Sequence, residues 1–169
     1  MAYDEKVEEY VKANLNYDRF TGDLHWTCEG GFNRNTTKPA GTVVGDGYKS
    51  ITTIYGLLKC HKICWYLAYG SWPDKHIDHI DGNKENNRLD NLRLVTNQQN
   101  SFNARGHKDG SSRFKGVFLE GRSGKWLARI SKSGKSKHIG YFSCEVEAAK
   151  AYNKAAKELF GEFARLNDV

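Results

Sequence analysis

Long apolar runs are missing from this 169-residue chain; none approaches the roughly 20 residues that a membrane span requires, so no membrane partner is expected. The opening stretch MAYDEKVEEY is too acidic and polar for a secretory signal, and the protein is expected to stay in the compartment where it is made. Cysteine is sparse. Cys28, Cys60, Cys64 and Cys144 form no CxxC pair, which argues against a disulfide framework. Cys60, His61 and Cys64 have no second Cys/His pair at zinc spacing, so zinc is not expected and the thiols read as small core residues. No internal repeat is visible. What is present suffices for folding: 38% hydrophobic and 12% aromatic residues describe a globular chain, one ordinary domain or two small ones.

Charge divides the chain. Residues 1–100 carry 12 Lys+Arg and 13 Asp+Glu, whereas residues 101–169 carry 14 and 7. Within the second part, residues 101–137 hold ten basic and two acidic side chains. A nearly neutral body followed by a basic tail points to two modules, one of which meets a polyanion.

Apolar spacing predicts a helix over 4–14, with Val7, Tyr10 and Val11 on one face. YDRFTGDLHW reads as a hairpin turning at Thr21-Gly22, and AGTVVGDGYKSITTIYGLLKC as short strands broken at Gly45-Asp46-Gly47 and Tyr55-Gly56. HKICWYLAYG predicts a buried helix from Ile63 to Tyr69, stopped by Gly70 and Pro73. Next come a strand (HIDHI), a polar loop (DGNKENNRLDN), a second strand (LRLV) and a helix opened by TNQQN, where Thr96 and Gln99 form a capping box. The Gly/Ser-rich, basic stretch 101–113 reads as a linker. FKGVFLE, KWLARIS and KHIGYF then predict three strands, with Trp126, Ala128 and Ile130 on one face. A last helix is expected from an N-cap at Ser143 to Gly161, burying Val146, Ala149, Tyr152, Ala156, Leu159 and Phe160. The fold class is α+β.

Residues 75–100 hold six asparagines and two histidines but little that could form a core. Asp78 and His79 stand near the end of a strand, and Asn100 falls in the first turn of the following helix. Asp and Asn oxygens are hard ligands suited to Mg²⁺, and a neutral imidazole beside them can take a proton from water. With a basic tail to bring in a phosphodiester, these are the parts of metal-assisted hydrolysis. Neighbours on a regular strand face opposite sides, so Asp78 and His79 share a site only if the pleat breaks, for which Asp81-Gly82 offers a place.

DHIDGNKENNRLDNLRLVTNQQN strongly resembles the motif of phage and bacterial HNH homing endonucleases, whose fold is the ββα-metal (His-Me) finger. YDRFTGDLHW and HKICWYLAYGSWP are also similar to segments that precede that motif, so the resemblance spans roughly 15–100. It implies a nuclease domain over 1–100 with its motif core at 76–104. It further implies His79 as general base, Asp78 and Asn100 as ligands of one Mg²⁺ or Mn²⁺, and Asn91 as the brace of the long loop. Products with 5′-phosphate and 3′-hydroxyl ends are implied as well.

The tail resembles a second family, the plant ethylene-response-factor (AP-two) DNA-binding domain, through FKGV, GKWLARI, HIGYF and EAAKAYNKAAKELFGEFARLN. That family lays a three-stranded antiparallel sheet in the major groove with one helix behind it, here a domain over 114–169. The resemblance implies DNA-facing positions at Lys115, Phe118, Arg129, Ser131, Ser136 and His138. The charges of Arg122, Lys125, Lys132, Lys135 and Lys137 read as phosphate contacts. Together these readings imply a monomeric, metal-dependent endonuclease acting on double-stranded DNA without a small-molecule cofactor. It would be phage-encoded and work in the cytoplasm of a bacterial host. The alternative is a DNA-binding regulator whose HNH half is only a scaffold.

Overall fold

The computed structural model describes residues 3–28, 34–103 and 111–169, which fall into two compact units, Met1–Thr96 and Asn97–Val169. Both mix helices with small antiparallel sheets. Among the described residues no helix is long and apolar enough to cross a membrane.

In the first unit, helix α1 (Glu5–Asn14) begins where the Asp4 carboxylate accepts the Lys6 N–H, with Glu5 and Glu8 at its positive end. Val7 and Val11, one helical turn apart, face the core. The chain then enters β1 (Leu15–Tyr17), which pairs antiparallel with β2 (Leu24–Trp26), as the hairpin reading expects. Strands β3 (Thr42–Val43), β4 (Lys49–Thr53) and β5 (Gly56–Lys59) make a second sheet in that order. From β5 the backbone passes directly into α2 (Cys60–Tyr69), so this helix starts earlier than the expected Ile63. It stops at Gly70, whose left-handed backbone lets its N–H reach Tyr66 O. Val11, Leu15, Leu24, Ile51, Ile63 and Tyr66 close the core between these elements. Cys60 and Cys64 join it, as expected of small apolar side chains, whereas Cys28 and Cys144 are exposed. Strands β6 (His76–His79) and β7 (Leu92–Val95) form a separate antiparallel pair, with Asp78 opposite Arg93 and His79 opposite Leu92.

The second unit opens with α3 (Asn97–Asn103), so the division falls after Thr96 rather than after Asn100. The reason is Phe102. Its ring stacks on Phe160 with centroids 4.0 Å apart, in a cluster with Ile130, Tyr152 and Ala156. Residues 104–110 of the expected linker lie outside the described residues. Beyond them Ser112 is buried, donating to Glu145 at 2.7 Å and accepting the Phe114 N–H at 3.0 Å.

Strands β8 (Val117–Glu120), β9 (Lys125–Lys132) and β10 (Lys135–Phe142) form the sheet, with β9 central. Ser133 and Gly134 both have positive φ, the backbone that a two-residue hairpin turn requires. Helix α4 (Glu145–Phe160) packs Ala148, Ala149, Tyr152, Ala156 and Phe160 inward, with Val146 and Leu159 half-buried at its margin. Its N-cap is Cys144, not Ser143, and no side chain caps it; Glu145 and Glu147 supply negative charge to that end instead. Gly116 brings backbone against helix: at φ +74°, a Cβ there would lie 2.2 Å from the Tyr152 ring.

Because Phe102 completes the C-terminal core, Phe102→Ala should destabilise that unit by about 3–5 kcal/mol. Amide exchange should accelerate across β9 and α4 and stay unchanged in β6 and β7.

Candidate active site

The loop from Ile80 to Asn91 is organised by amides and carboxylates in place of a core. Asp81 accepts the Asn83 N–H at 2.7 Å and the Asn86 side-chain N–H at 2.8 Å. Asn91, at the end of a short 3-10 turn (Leu89–Asn91), ties the loop across its base. Its Oδ1 accepts the Asp81 N–H at 3.0 Å, and its Nδ2 donates to Asp81 Oδ1 at 2.9 Å and Asn86 O at 2.8 Å. These three bonds join the start of the loop to its end. Burial alone would raise the Asp81 pKa, but the N–H donors of Asn86, Asn83 and Asn91 hold it below the ordinary value.

His79 ends β6 with 4% of its surface exposed. Its Nε2 lies 3.0 Å from Asn87 Oδ1, itself buried; with that oxygen as acceptor, Nε2 holds the proton and Nδ1 the lone pair. Asn87 was not foreseen from the sequence, because loop residues carry no periodicity that reveals their direction. Burial lowers the His79 pKa, while the Asn87 bond and the carboxylates of Asp81 and Asp78 oppose the shift. The imidazole is therefore neutral at neutral pH, the form a general base needs.

Asp78 precedes it, 7% exposed, and its Oδ2 accepts from Arg93 Nε at 3.0 Å and Nη2 at 2.8 Å. Arg93 was also unforeseen, although the pairing of HIDH with LRLV sets it opposite Asp78. Ile77, Asp78 and His79 are all buried in succession, so both faces of this short strand are covered. Asp78, His79 and Asn91 thus lie in the first unit, whereas Asn100 lies on α3 in the second. Among the described residues, no three His, Cys, Asp or Glu side chains gather as a metal-binding group. Asp78 by itself offers a carboxylate, a hard donor of the kind that suits Mg²⁺, which keeps several waters.

Two further rings border His79. His61 on α2 stands edge-on to it at 5.4 Å, and Tyr48 lies 5.8 Å from His79 and 5.0 Å from His61. Lys84 Nζ sits 4.5 Å over the Tyr48 ring. Nδ1 of His61 is buried without a hydrogen-bond partner among the described residues, and burial, then His79, pushes its pKa down to about 3. Below its ordinary 6.5 the unfolded chain binds a proton at His61 that the folded chain refuses. Stability should therefore fall on acidification from pH 6.5 towards 3, by up to about 1.4 kcal/mol per pH unit, and His79 adds to the same slope. His61→Phe should flatten that slope in urea unfolding compared at about pH 7 and about pH 5.5.

In the second unit, β-pairing sorts the candidate DNA-facing residues. Phe118, Lys125, Arg129, Ser131, Ser136 and His138 share the sheet face away from α4. On that face Arg129 lies 4.8 Å over Phe118, Ser131 and Ser136 share a 2.8 Å hydrogen bond, and the His138 and Tyr141 rings are 4.8 Å apart. Arg122 is exposed in the β8–β9 turn. Lys137 pairs with Ile130 and Lys135 with Lys132, which places these three lysines on the helix side by parity, and Lys132 Nζ reaches Leu159 O at 3.5 Å. Lys115 is placed differently from the expected DNA-facing position. Its ammonium donates to Phe102 O at 2.6 Å, and burial lowers its pKa to about 8.

The family model for HNH endonucleases matches residues 58–102, which include the strands and loop just described. An uncharacterised HNH endonuclease of Acanthamoeba polyphaga mimivirus is 42% identical over 116 residues, 68% of this chain and 59% of that protein. Protein 3.8 of Escherichia phage T7 is 34% identical over 118 residues, 69% of this chain and 97% of that protein. Towards the C-terminus the chain is similar to plant proteins such as dehydration-responsive element-binding protein 2C of Arabidopsis thaliana, 42% identical over 64 residues. That match covers 37% of this chain and 18% of the plant protein. No solved structure matches significantly. With the braced Asn91 loop, the Asp78-His79 pair and a relative covered over nearly its whole length, the chain belongs to the HNH endonuclease family.

Proposed function

We propose that this protein is a metal-dependent endonuclease of the homing type and the ββα-metal class that hydrolyses a phosphodiester of double-stranded DNA. The observation that carries this reading is the His79–Asn87 hydrogen bond, which leaves the lone pair of a neutral imidazole on Nδ1. His79 takes a proton from water as the water oxygen attacks phosphorus in line with the 3′-oxygen. The bond to that oxygen breaks and the oxygen takes a proton from solvent water, leaving a 5′-phosphate and a 3′-hydroxyl, while His79 returns its proton to solvent. Asp78 and Asn100 would hold the divalent cation, Mg²⁺ or Mn²⁺, which when bound supplies positive charge to the phosphate and the departing oxygen. The chain works as a monomer without an organic cofactor, and its phage and viral relatives support a phage-encoded enzyme acting inside a host cell.

DNA affinity comes chiefly from the second unit, through the outward sheet face that carries Lys125 and Arg129. Removing one phosphate-bound cation changes the log–log salt slope by about 0.9. Arg129→Ala should therefore flatten the slope by about one unit, while Lys137→Ala, on the helix side, should leave it nearly unchanged. Equal effects would mean that DNA does not select the outward face.

Nicking of supercoiled plasmid tests the chemistry. His79→Ala should slow it by about 10²–10⁴-fold with DNA affinity nearly intact, and excess EDTA should abolish it in the wild type. Wild-type cutting by the alanine variant would remove His79 from the mechanism, and cutting in EDTA would remove the metal. A wild type that binds DNA without cutting it, in Mg²⁺ or Mn²⁺, would favour the scaffold alternative.

A further inference from the structure

Asn87 is gripped from two sides. Its side chain meets His79, while its backbone is held by the turn region of the β1–β2 hairpin, far away in sequence. Tyr17 Oη donates to Asn87 O at 3.0 Å. Gly22, at φ +81°, sits so close that a Cβ there would lie 2.5 Å from Arg88 N and 2.9 Å from Asn87 C. Asn87 is 2% exposed, so little solvent is available to replace either contact.

The hairpin itself is stiff. Asp18 N donates to Asp23 O and Gly22 N to Asp18 O, both at 2.9 Å, and Asp18 Oδ1 accepts the Phe20 N–H at 2.8 Å. Behind it, the Cys64 thiol of α2 lies 3.8 Å from Gly22 O. Burial raises the Tyr17 pKa to about 12, so its hydroxyl keeps its proton and stays a donor. The Asn87 loop, by contrast, has no apolar core of its own and is tied mainly at Asp81 and Asn91. Those ties reach Asn86 but not Asn87, whose own backbone carbonyl is bound by Tyr17 of the hairpin.

We propose that the β1–β2 hairpin is the positioning element of the catalytic base: Tyr17 and Gly22 hold the Asn87 backbone, and Asn87 thereby holds the His79 ring in its Nε2-protonated orientation. The inference rests on His79 being the base. Neither Tyr17 nor Gly22 touches substrate; both act through Asn87. A small displacement suffices, since misplacing a reacting group by about 1 Å can cost on the order of 10²-fold in rate.

The test uses the full chain with Tyr17→Phe, Gly22→Ala and a control, Tyr66→Phe, which loses a 2.9 Å hydroxyl bond to Glu8 elsewhere in the same core. Single-turnover cleavage at saturating DNA, DNA affinity and the ¹⁵N shifts of the His79 imidazole are the readouts. Tyr17→Phe should slow cleavage by about three- to tenfold, the worth of one hydrogen bond, without changing DNA affinity. Gly22→Ala should slow it further, by on the order of 10²-fold. In both, His79 should pass from the Nε2–H form to a mixture of tautomers, while Tyr66→Phe keeps the wild-type rate and the single form. A wild-type rate and an unchanged tautomer in Tyr17→Phe would overturn the proposal, as would an equal loss in Tyr66→Phe. Should Gly22→Ala fail to fold, Tyr17→Phe decides. Should the wild type not cleave at all, the nuclease reading falls, and the ¹⁵N shifts alone settle whether the hairpin positions His79.

Discussion

The 3.0 Å hydrogen bond between His79 Nε2 and Asn87 Oδ1 decides which nitrogen of the imidazole can accept a proton, and the surrounding structure is arranged to keep it. A neutral imidazole has one donor and one acceptor, so assigning the donor to Asn87 leaves Nδ1 as the acceptor. Such a bond contributes only about 1 kcal/mol, too little to order a polar loop by itself. Its geometry therefore has to be imposed from outside. Asn91 fixes the loop at its base, and Tyr17 and Gly22 press on the Asn87 backbone.

This accounts for the run of asparagines. In the proposed mechanism the nucleophile comes from water, from which an apolar loop would shield His79. A loop held by side-chain amides gains rigidity while remaining polar, because each amide both donates and accepts. Asn91 shows the economy of the device, engaging Asp81 through two bonds and Asn86 through a third. The apolar burial that stabilises the first unit lies instead among α1, α2 and the β-hairpin, next to the loop and not within it.

Much of this was legible in the sequence. Apolar spacing located α1, α2, α4 and the strands, because burial of a periodic face dominates local preference. The resemblance singled out Asp78, His79 and Asn91 by motif spacing, and in the structure Asn91 bonds to Asp81 and Asn86. Asn87, Arg93 and Tyr17 were not found, since each acts through a partner at a distance that periodicity does not encode. Phe102 was read as linker because its neighbours are polar; a single aromatic carries no pattern, yet its stack on Phe160 binds α3 to the second unit. Ser143 was favoured as N-cap by its hydroxyl, but the chain starts the helix one residue later, with the two glutamates placed to stabilise its end.

Charge counting has a related blind spot. Residues 101–137 are strongly basic, yet a count is indifferent to the side of the sheet on which a lysine stands. Strand parity supplies that information. Arg129 and Ser131 alternate with Ala128 and Ile130, so the core-facing set fixes the outward one. On β10 strict alternation would place Gly140 outward after His138. The register shift between His138 and Gly140 inserts Ile139, which packs inward, and resets the parity so that Tyr141 follows His138 on the outer face. One extra residue thus converts a gap into an aromatic pair beside Arg129. Strand parity likewise separates Lys125 and Arg129 on the outward face from basic residues such as Lys132, which is drawn to the carbonyl end of α4.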